Sequence, residues 1–377
     1  MAPARPSRHS GGLPAFNFRT HVRKGNKGLR GTNGLAGRLG TDMKAIVYTR
    51  GGGSDVLELR ERPLPEPGPG EVRVAVRFSG VNPTDWKRRT GGDGSPEQVP
   101  NQDGSGVVDA VGAGVPAERL GQRVWLWEAA YERADGTAQE YLVLPERQAV
   151  PLPEQASLEL GASLGIPAMT AHRALTLGPG APERLAPGAL AGQTVLVAGG
   201  AGAVGNAAIQ LARWAGATVV TTVSGPEKAA LAKAAGAHHV VDYRAEDAAA
   251  AIRALAPAGV ELVVEVATAT NAALDLAVLA TGGAVAFYSE AGVPEVTLPV
   301  RELMVRNLSW RGVLIYTIPL EAKLHAVAAI QQAVAEGALR AGAEAGLPWH
   351  HYPLERTAEA HDAVQGAIVG KVLIDVG

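Results

Sequence analysis

The stretch between residues 194 and 288 constrains this chain more than any other. Apolar runs at Thr194–Ala198, Thr218–Val223, 239–241, 262–266 and 284–288 lack the polar alternation of a half-exposed strand. Helix-like stretches at 203–215, 226–235, Ala248–Leu255 and 272–279 separate them. Strands without alternation, joined by helices, are the pattern of a parallel sheet buried on both faces. The fold class is therefore α/β, with a doubly wound parallel sheet at its centre.

The first of these strands runs straight into Gly199-Gly200-Ala201-Gly202-Ala203-Val204-Gly205, and a helix follows. The spacing is G-x-x-G-x-x-G, shifted from the more familiar G-x-G-x-x-G. Glycines let the backbone turn tightly and approach a pyrophosphate, and the free N–H groups of the helix start bind the anion. Strand before, helix after and a second strand about 20 residues on supply the context the motif requires. Gly199, Gly202, Ala203, Val204 and Gly205 are thus the expected phosphate contacts. The end of the second strand reads Ser224-Gly225-Pro226-Glu227-Lys228, with no acid at the strand terminus. A carboxylate there serves the ribose 2′-OH of NAD, and its absence leaves room for a 2′-phosphate. Ser224, Lys228, Tyr243 and Arg244 supply donors. The expected cofactor is NADP(H). Glu227 is read as an acid in the first turn of a helix, where the dipole favours it.

Outside this segment the signals change. From Met43 to about Val150, short apolar runs alternate with Gly/Pro turns, which suggests a β barrel or sandwich. Residues 157–164 and 168–177 read as helices, residues 320–336 as a long helix, and residues 371–376 as a closing strand. There is no cysteine, which removes disulfides, thiolate zinc sites, iron–sulfur clusters and thiol nucleophiles. No run of about 18 apolar residues suggests a membrane span, so a cytoplasmic location is expected. The net charge of −2 does not suggest bulk affinity for nucleic acid.

That charge is unevenly spread. Residues 1–42 carry eight Lys/Arg and one acid, leaving 27 basic against 36 acidic residues in the remainder. The segment is rich in Gly, Arg and Pro without apolar periodicity, so it is expected to be disordered. It has no apolar core of a secretory signal. A start codon placed too far upstream of Met43, a transit peptide and a basic arm on nucleic acid are the readings considered.

Several segments resemble the zinc-free quinone oxidoreductase (zeta-crystallin-like) branch of the medium-chain dehydrogenase/reductases. They are Met43-Lys44-Ala45-Ile46, Ser79-Gly80-Val81-Asn82-Pro83-Thr84-Asp85-Trp86-Lys87, Asp103-Gly104-Ser105-Gly106-Val107-Val108, Gly136-Thr137-Ala138-Gln139-Glu140-Tyr141, the glycine turn, and Ala360-His361-Asp362 through Gly370-Lys371-Val372. The resemblance implies a GroES-like, partly open β-barrel catalytic domain built from both chain ends, with a Rossmann domain inserted. The implied divisions are 1–42 (extension), 43–165 (barrel), 166–312 (Rossmann) and 313–377 (return to the barrel). It further implies hydride transfer from NADPH to a small quinone or enone-type acceptor, no metal, no membrane attachment and a homodimer. Asn82 and Gln102 stand where zinc relatives carry ligands, and neither amide is a plausible substitute. By the same resemblance, Asn82 lies beside the nicotinamide ribose and substrate, and Thr170 near the nicotinamide end. Lys228 and Tyr243 match 2′-phosphate contacts, and Asn307 and Lys371 match positions near the cofactor. Asp85 is read as either catalytic or a helix cap. Tyr131, and similarly Tyr316, is a candidate proton donor or stacking surface. Two departures stand out: Thr137 replaces a tyrosine, and the turn after the fourth Rossmann strand reads Glu265-Val266-Ala267-Thr268.

Other signals carry less. Gly161-Ala162-Ser163-Leu164-Gly165 matches G-x-S-x-G, but a helix start rather than a strand precedes it. The pairs His238-His239 and His350-His351 are adjacent in sequence, so their side chains diverge. The rival functions are an NADPH-dependent enoyl-thioester or 2-alkenal reductase and, from another class, a non-catalytic NADPH or nucleic-acid binder.

Overall fold

The computed structural model describes residues 42–92 and 96–377. The expected basic extension therefore lies outside the described residues, apart from Asp42. That residue opens β1 (Asp42–Val47), which pairs antiparallel with β2 (Glu58–Pro63). In β3 (Glu71–Val81), Val72, Val74 and Val76 alternate inward. The barrel continues through β4 (Asp103–Val111), β5 (Arg123–Leu126), β6 (Tyr141–Pro145) and β7 (Ala149–Pro151). Between β3 and β4 stands α1 (Pro83–Gly91), a helix inside a region read from sequence as β throughout. Pro83 at its first position and acidic Asp85 in its first turn explain where it starts.

The two helices expected here run end to end as α2 (Leu158–Leu175), divided by a kink at non-helical Gly165 (φ −12°, ψ −109°) just before Pro167. Six parallel strands follow: β8 (Thr194–Ala198), β9 (Thr218–Val223), β10 (His239–Asp242), β11 (Val260–Glu265), β12 (Leu279–Phe287) and β13 (Ser309–Gly312). Their order is β10-β9-β8-β11-β12-β13. Helices α3 (Ala203–Trp214), α4 (Pro226–Ala234), α5 (Ala248–Leu255), α6 (Thr268–Val278) and α7 (Val300–Arg306) connect them. The doubly wound sheet is as expected, and its order reverses between β8 and β11, where α/β sheets bind ligands.

The last segment, from residue 313, packs first against the junction of barrel and parallel sheet, in a core that Trp125 and Val150 also join. Val313, Ile315 and the buried face of α8 (Leu320–Ala335) pack in the same core as α2, α3 and the parallel sheet. Only later do β14 (Trp349–Pro353), α9 (Thr357–Gln365) and β15 (Lys371–Asp375) rejoin the barrel. β15 pairs antiparallel with β3 and completes the seven-stranded sheet β14-β15-β3-β4-β5-β7, with β6 also on β3. Among the described residues, no helix is long and apolar enough to cross a membrane.

Candidate active site

The glycine turn is built for close backbone approach. Gly199 has φ +70°, and its N–H and that of Gly200 donate to the Thr222 carbonyl at 3.1 and 3.3 Å. A Cβ at Gly200 would stand 2.2 Å from Thr221 Oγ1, and one at Gly205 would stand 2.4 Å from the Gly199 carbonyl. Gly202 caps α3 without a side-chain hydrogen bond. The first-turn amides of Ala203, Val204 and Gly205 therefore keep the anion-binding capacity of an uncapped helix start. These residues fit a dinucleotide pyrophosphate.

At the end of β9, Lys228 Nζ donates to Ser224 Oγ at 3.0 Å, and the Tyr243 N–H donates to the Val223 carbonyl at 3.1 Å. The Tyr243 side chain is 51% exposed, and Glu227 points to solvent. Ser224, Lys228 and Tyr243 are thus brought together beside the strand terminus. Asn307 is not. It occupies the left-handed C-cap of α7 (φ +50°). Val195, Leu262, Ala284 and Ser309 form one row across the sheet. Asn307 lies two residues before that row and Gly199 four residues after it. The separation is about 20 Å along the strands, so Asn307 sits at the opposite sheet edge from the phosphate turn.

A second cluster forms where β3, β4, α1 and β15 meet. Asn82 Nδ2 donates to Asp103 Oδ2 at 2.6 Å. Lys371 Nζ donates to Asn82 Oδ1 at 2.7 Å and to Asp103 Oδ2 at 3.3 Å. The Ile166 N–H, just past the α2 kink, donates to Asp103 Oδ1 at 2.8 Å. All three side chains are buried. Asp85 Oδ2 accepts the Asn82 N–H at 2.7 Å, so the capping role holds, while its Oδ1 is buried without a hydrogen-bond partner. Burial, and then the nearby Asp103 charge, push the Asp85 carboxyl up to about 7. Burial also raises Asp103, against the opposing pull of Lys371.

The third cluster joins the loop after β5 to the α8 segment. The rings of Tyr131 and Tyr316 stack with centroids 5.0 Å apart and planes at 22°. Tyr316 Oη lies 3.0 Å from Thr84 Oγ1. Lys323 Nζ donates to Glu128 Oε2 at 2.7 Å and to the Tyr316 carbonyl at 2.9 Å. Burial raises Glu128 to about 7 despite that ion pair. Tyr316 is raised well above the ordinary tyrosine value, first by burial and then by Asp85. Thr170 is buried in α2 beyond the kink.

Sequence reasoning did not single out Asp103, Glu128 and Lys323 as members of these clusters. One signal was present: Lys323 lies three, four and seven residues before Ala326, Val327 and Ile330, on the apolar stripe of α8. The two departures also resolve. Thr137 Oγ1 donates to the Asp103 carbonyl at 2.6 Å and lies 2.7 Å from Ser79 Oγ, tying β4 to β3 without a tyrosine. After β11, Glu265 Oε1 accepts the Ala267 N–H and, at 3.0 Å, Asn271 Nδ2. Its buried neighbour Asp275 is pushed up to about 9, by burial and then by Glu265.

The residues present do not fit zinc. Among the described residues no three His, Cys, Asp or Glu side chains converge. The Asn82 amide oxygen already accepts from an ammonium, and Gln102 Oε1 accepts the Ala130 N–H at 3.0 Å instead of facing Asn82.

Residues 203–336 match the family described as "Zinc-binding dehydrogenase", and residues 68–154 match the "Alcohol dehydrogenase GroES-like domain". A quinone oxidoreductase of Lama guanicoe is 30% identical over 88% of this chain and 97% of its own length. A mycobacterial protein solved in complex with NADPH superposes with a TM-score of 0.73 at 29% identity, over 88% of this chain and 99% of the other. A structure described as an NAD-dependent alcohol dehydrogenase gives 0.78 at 32%, over 89% and 100%. The Rossmann sheet, the barrel and the length of the match to the quinone oxidoreductase agree, and the chain belongs to the quinone oxidoreductase branch of the medium-chain dehydrogenase/reductase superfamily.

Proposed function

We propose that the protein is an NADPH-dependent reductase that passes hydride to a quinone or other electron-poor enone-type acceptor without zinc. The observation that carries this reading is the buried Lys371 ammonium between Asn82 and Asp103. It fills, with a fixed charge, the place where a metal would need ligands. The choice of NADPH rests on the acid-free end of β9 and on Lys228, Ser224 and Tyr243 gathered there.

Bound NADPH supplies the hydride. The glycine turn and the first-turn amides of α3 hold its pyrophosphate. Lys371 and Asp103 fix the Asn82 amide, which stands ready to orient the ribose or the acceptor. Tyr316 keeps its proton because burial and neighbouring carboxylates raise it, so its hydroxyl polarises an acceptor oxygen as a hydrogen-bond donor. Tyr131 offers a flat surface for a conjugated ring. A reduced quinone can then take its proton from water.

The protein also pairs with a second copy, on this reading. Strand β13 is an edge strand among the described residues, and beside it Val300, Met304, Val305 and Leu314 are 68%, 71%, 67% and 50% exposed. An open edge flanked by apolar side chains suits an isologous sheet-to-sheet contact.

The test is oxidation of NADPH and NADH with a panel of quinones, enones, 2-alkenals and enoyl thioesters, before and after dialysis against a chelator. Turnover of quinones or enones with the lower KM for NADPH, unaffected by the chelator, is expected. No turnover with any acceptor overturns the reading. A lower KM for NADH removes its cofactor half, and chelator-sensitive activity removes its zinc-free half.

A further inference from the structure

One ammonium touches the segments that carry both stacked tyrosines. Lys323 emerges from the apolar face of α8, where an unpaired charge is strongly disfavoured. Its Nζ reaches the Glu128 carboxylate in the barrel loop, the Tyr316 carbonyl after β13, and a position 5.4 Å from the Tyr131 ring centroid. Glu128 is held in a left-handed conformation (φ +50°) that non-glycine residues rarely adopt. Its carbonyl accepts from Gln148 Nε2 at 3.3 Å and Arg133 Nη2 at 3.2 Å, which over-determines that conformation. Two costly features, a buried charge pair and a strained backbone, therefore converge on the placement of two stacked tyrosines. Neither feature is needed to fill the core, since an apolar pair of similar volume does so at no desolvation cost.

We infer that Lys323 and Glu128 are positioning residues that set Tyr131 and Tyr316 as an aromatic platform, selecting flat conjugated acceptors over short linear enals. The inference rests on the reductase reading above and adds to it the acceptor class.

The experiment compares kcat/KM for 1,4-naphthoquinone with that for 2-hexenal, using NADPH. The variants are the double substitution K323M/E128Q, which leaves no unpaired charge, the single K323R, and Y131L. NADPH affinity, read by fluorescence titration, reports the intact fold independently. The quinone-to-enal ratio is expected to fall about tenfold in K323M/E128Q and in Y131L, the size of one lost aromatic contact. K323R, which keeps the charge, is expected to retain most of the wild-type ratio, and NADPH affinity is expected to stay within about twofold in every variant. Should the double variant not fold, Y131L and K323R carry the test. An unchanged ratio, or a parallel loss on both acceptors, overturns the inference while leaving the reductase reading standing. Wild-type protein that reduces neither acceptor defeats both.

Discussion

Asp85 makes the stability of this protein fall as pH rises toward neutrality. Its carboxyl is buried, with one oxygen bonded to the Asn82 N–H and the other without a partner. Burial, reinforced by Asp103, raises it from 3.8 to about 7. Below about pH 4 the group is protonated in both folded and unfolded chains, and it costs nothing. Above about pH 7 it is ionised in both, and the folded state alone bears the desolvation. The displacement corresponds to about 4 kcal/mol at 1.36 kcal/mol per decade, lost progressively across that window. Asp85→Asn removes the titration while its amide oxygen still accepts the Asn82 N–H. Urea midpoints measured from pH 5 to 8 for wild type and variant isolate the contribution, because Glu128 and Asp103, also raised by burial, remain in both. The variant is expected to be the more stable above pH 7, with the difference shrinking as pH falls to 5. Identical pH slopes for the two proteins would refute the assignment of this charge to a buried, repelled position.

Three further outcomes follow from the geometry. Gly205→Ala places a Cβ 2.4 Å from the Gly199 carbonyl; it should cost about 1–3 kcal/mol and weaken NADPH binding more than about tenfold, and unchanged binding by calorimetry contradicts the turn's role. Lys228→Ala removes the charge beside Ser224; KM for NADPH should rise about tenfold or more while KM for NADH stays constant, as for one charge-assisted contact, and an equal rise in both opposes the 2′-phosphate reading. Met304→Glu with Val305→Glu adds charge to the most exposed apolar face of α7; light scattering is expected to give a dimer's mass for the wild type and a monomer's for this variant, and equal masses oppose the proposed pairing.

What the sequence made legible follows burial. The parallel sheet announced itself because Val195, Val219, Val263 and Val285 lie in strands buried on both faces, so apolar runs stand uninterrupted. Helix α1 did not, since its buried side chains are Asp85 and Arg89 and no apolar stripe exists to read. Its trace was chemical instead: Asn82, Pro83 and Asp85 in the order of a helix start. Helix α7 was missed for the opposite reason. Its apolar residues face outward, so periodicity says nothing of a core. Asp103 and Lys371, 268 positions apart, become one site only when β15 pairs with β3. Asn307 shows the limit of carrying roles by resemblance: it was matched to a cofactor position, yet it lies at the edge of the sheet away from the glycine turn.

The same pairing bears on why the site would work without a metal. Lys371 is buried, and its ammonium lies 3.3 Å from the Asp103 carboxylate and 2.7 Å from the Asn82 amide oxygen. A divalent ion placed about 4 Å from that ammonium would meet a repulsion of about 8 kcal/mol at an effective dielectric near 20. The donors present cannot offset this, because Asn82 is neutral and Asp103 is already shared with Lys371 and the Ile166 N–H. Oxidising an alcohol asks an enzyme to stabilise an alkoxide, for which a fixed ammonium, already neutralised by Asp103, is a poor substitute. Reducing a quinone asks for less, since the acceptor is electrophilic before it binds and its product anion is delocalised. On the zinc-free reading proposed above, a buried lysine in place of a Lewis acid would suit the site to orienting a reactive acceptor, and the same charge that opposes a metal would fix the amide proposed to do the orienting.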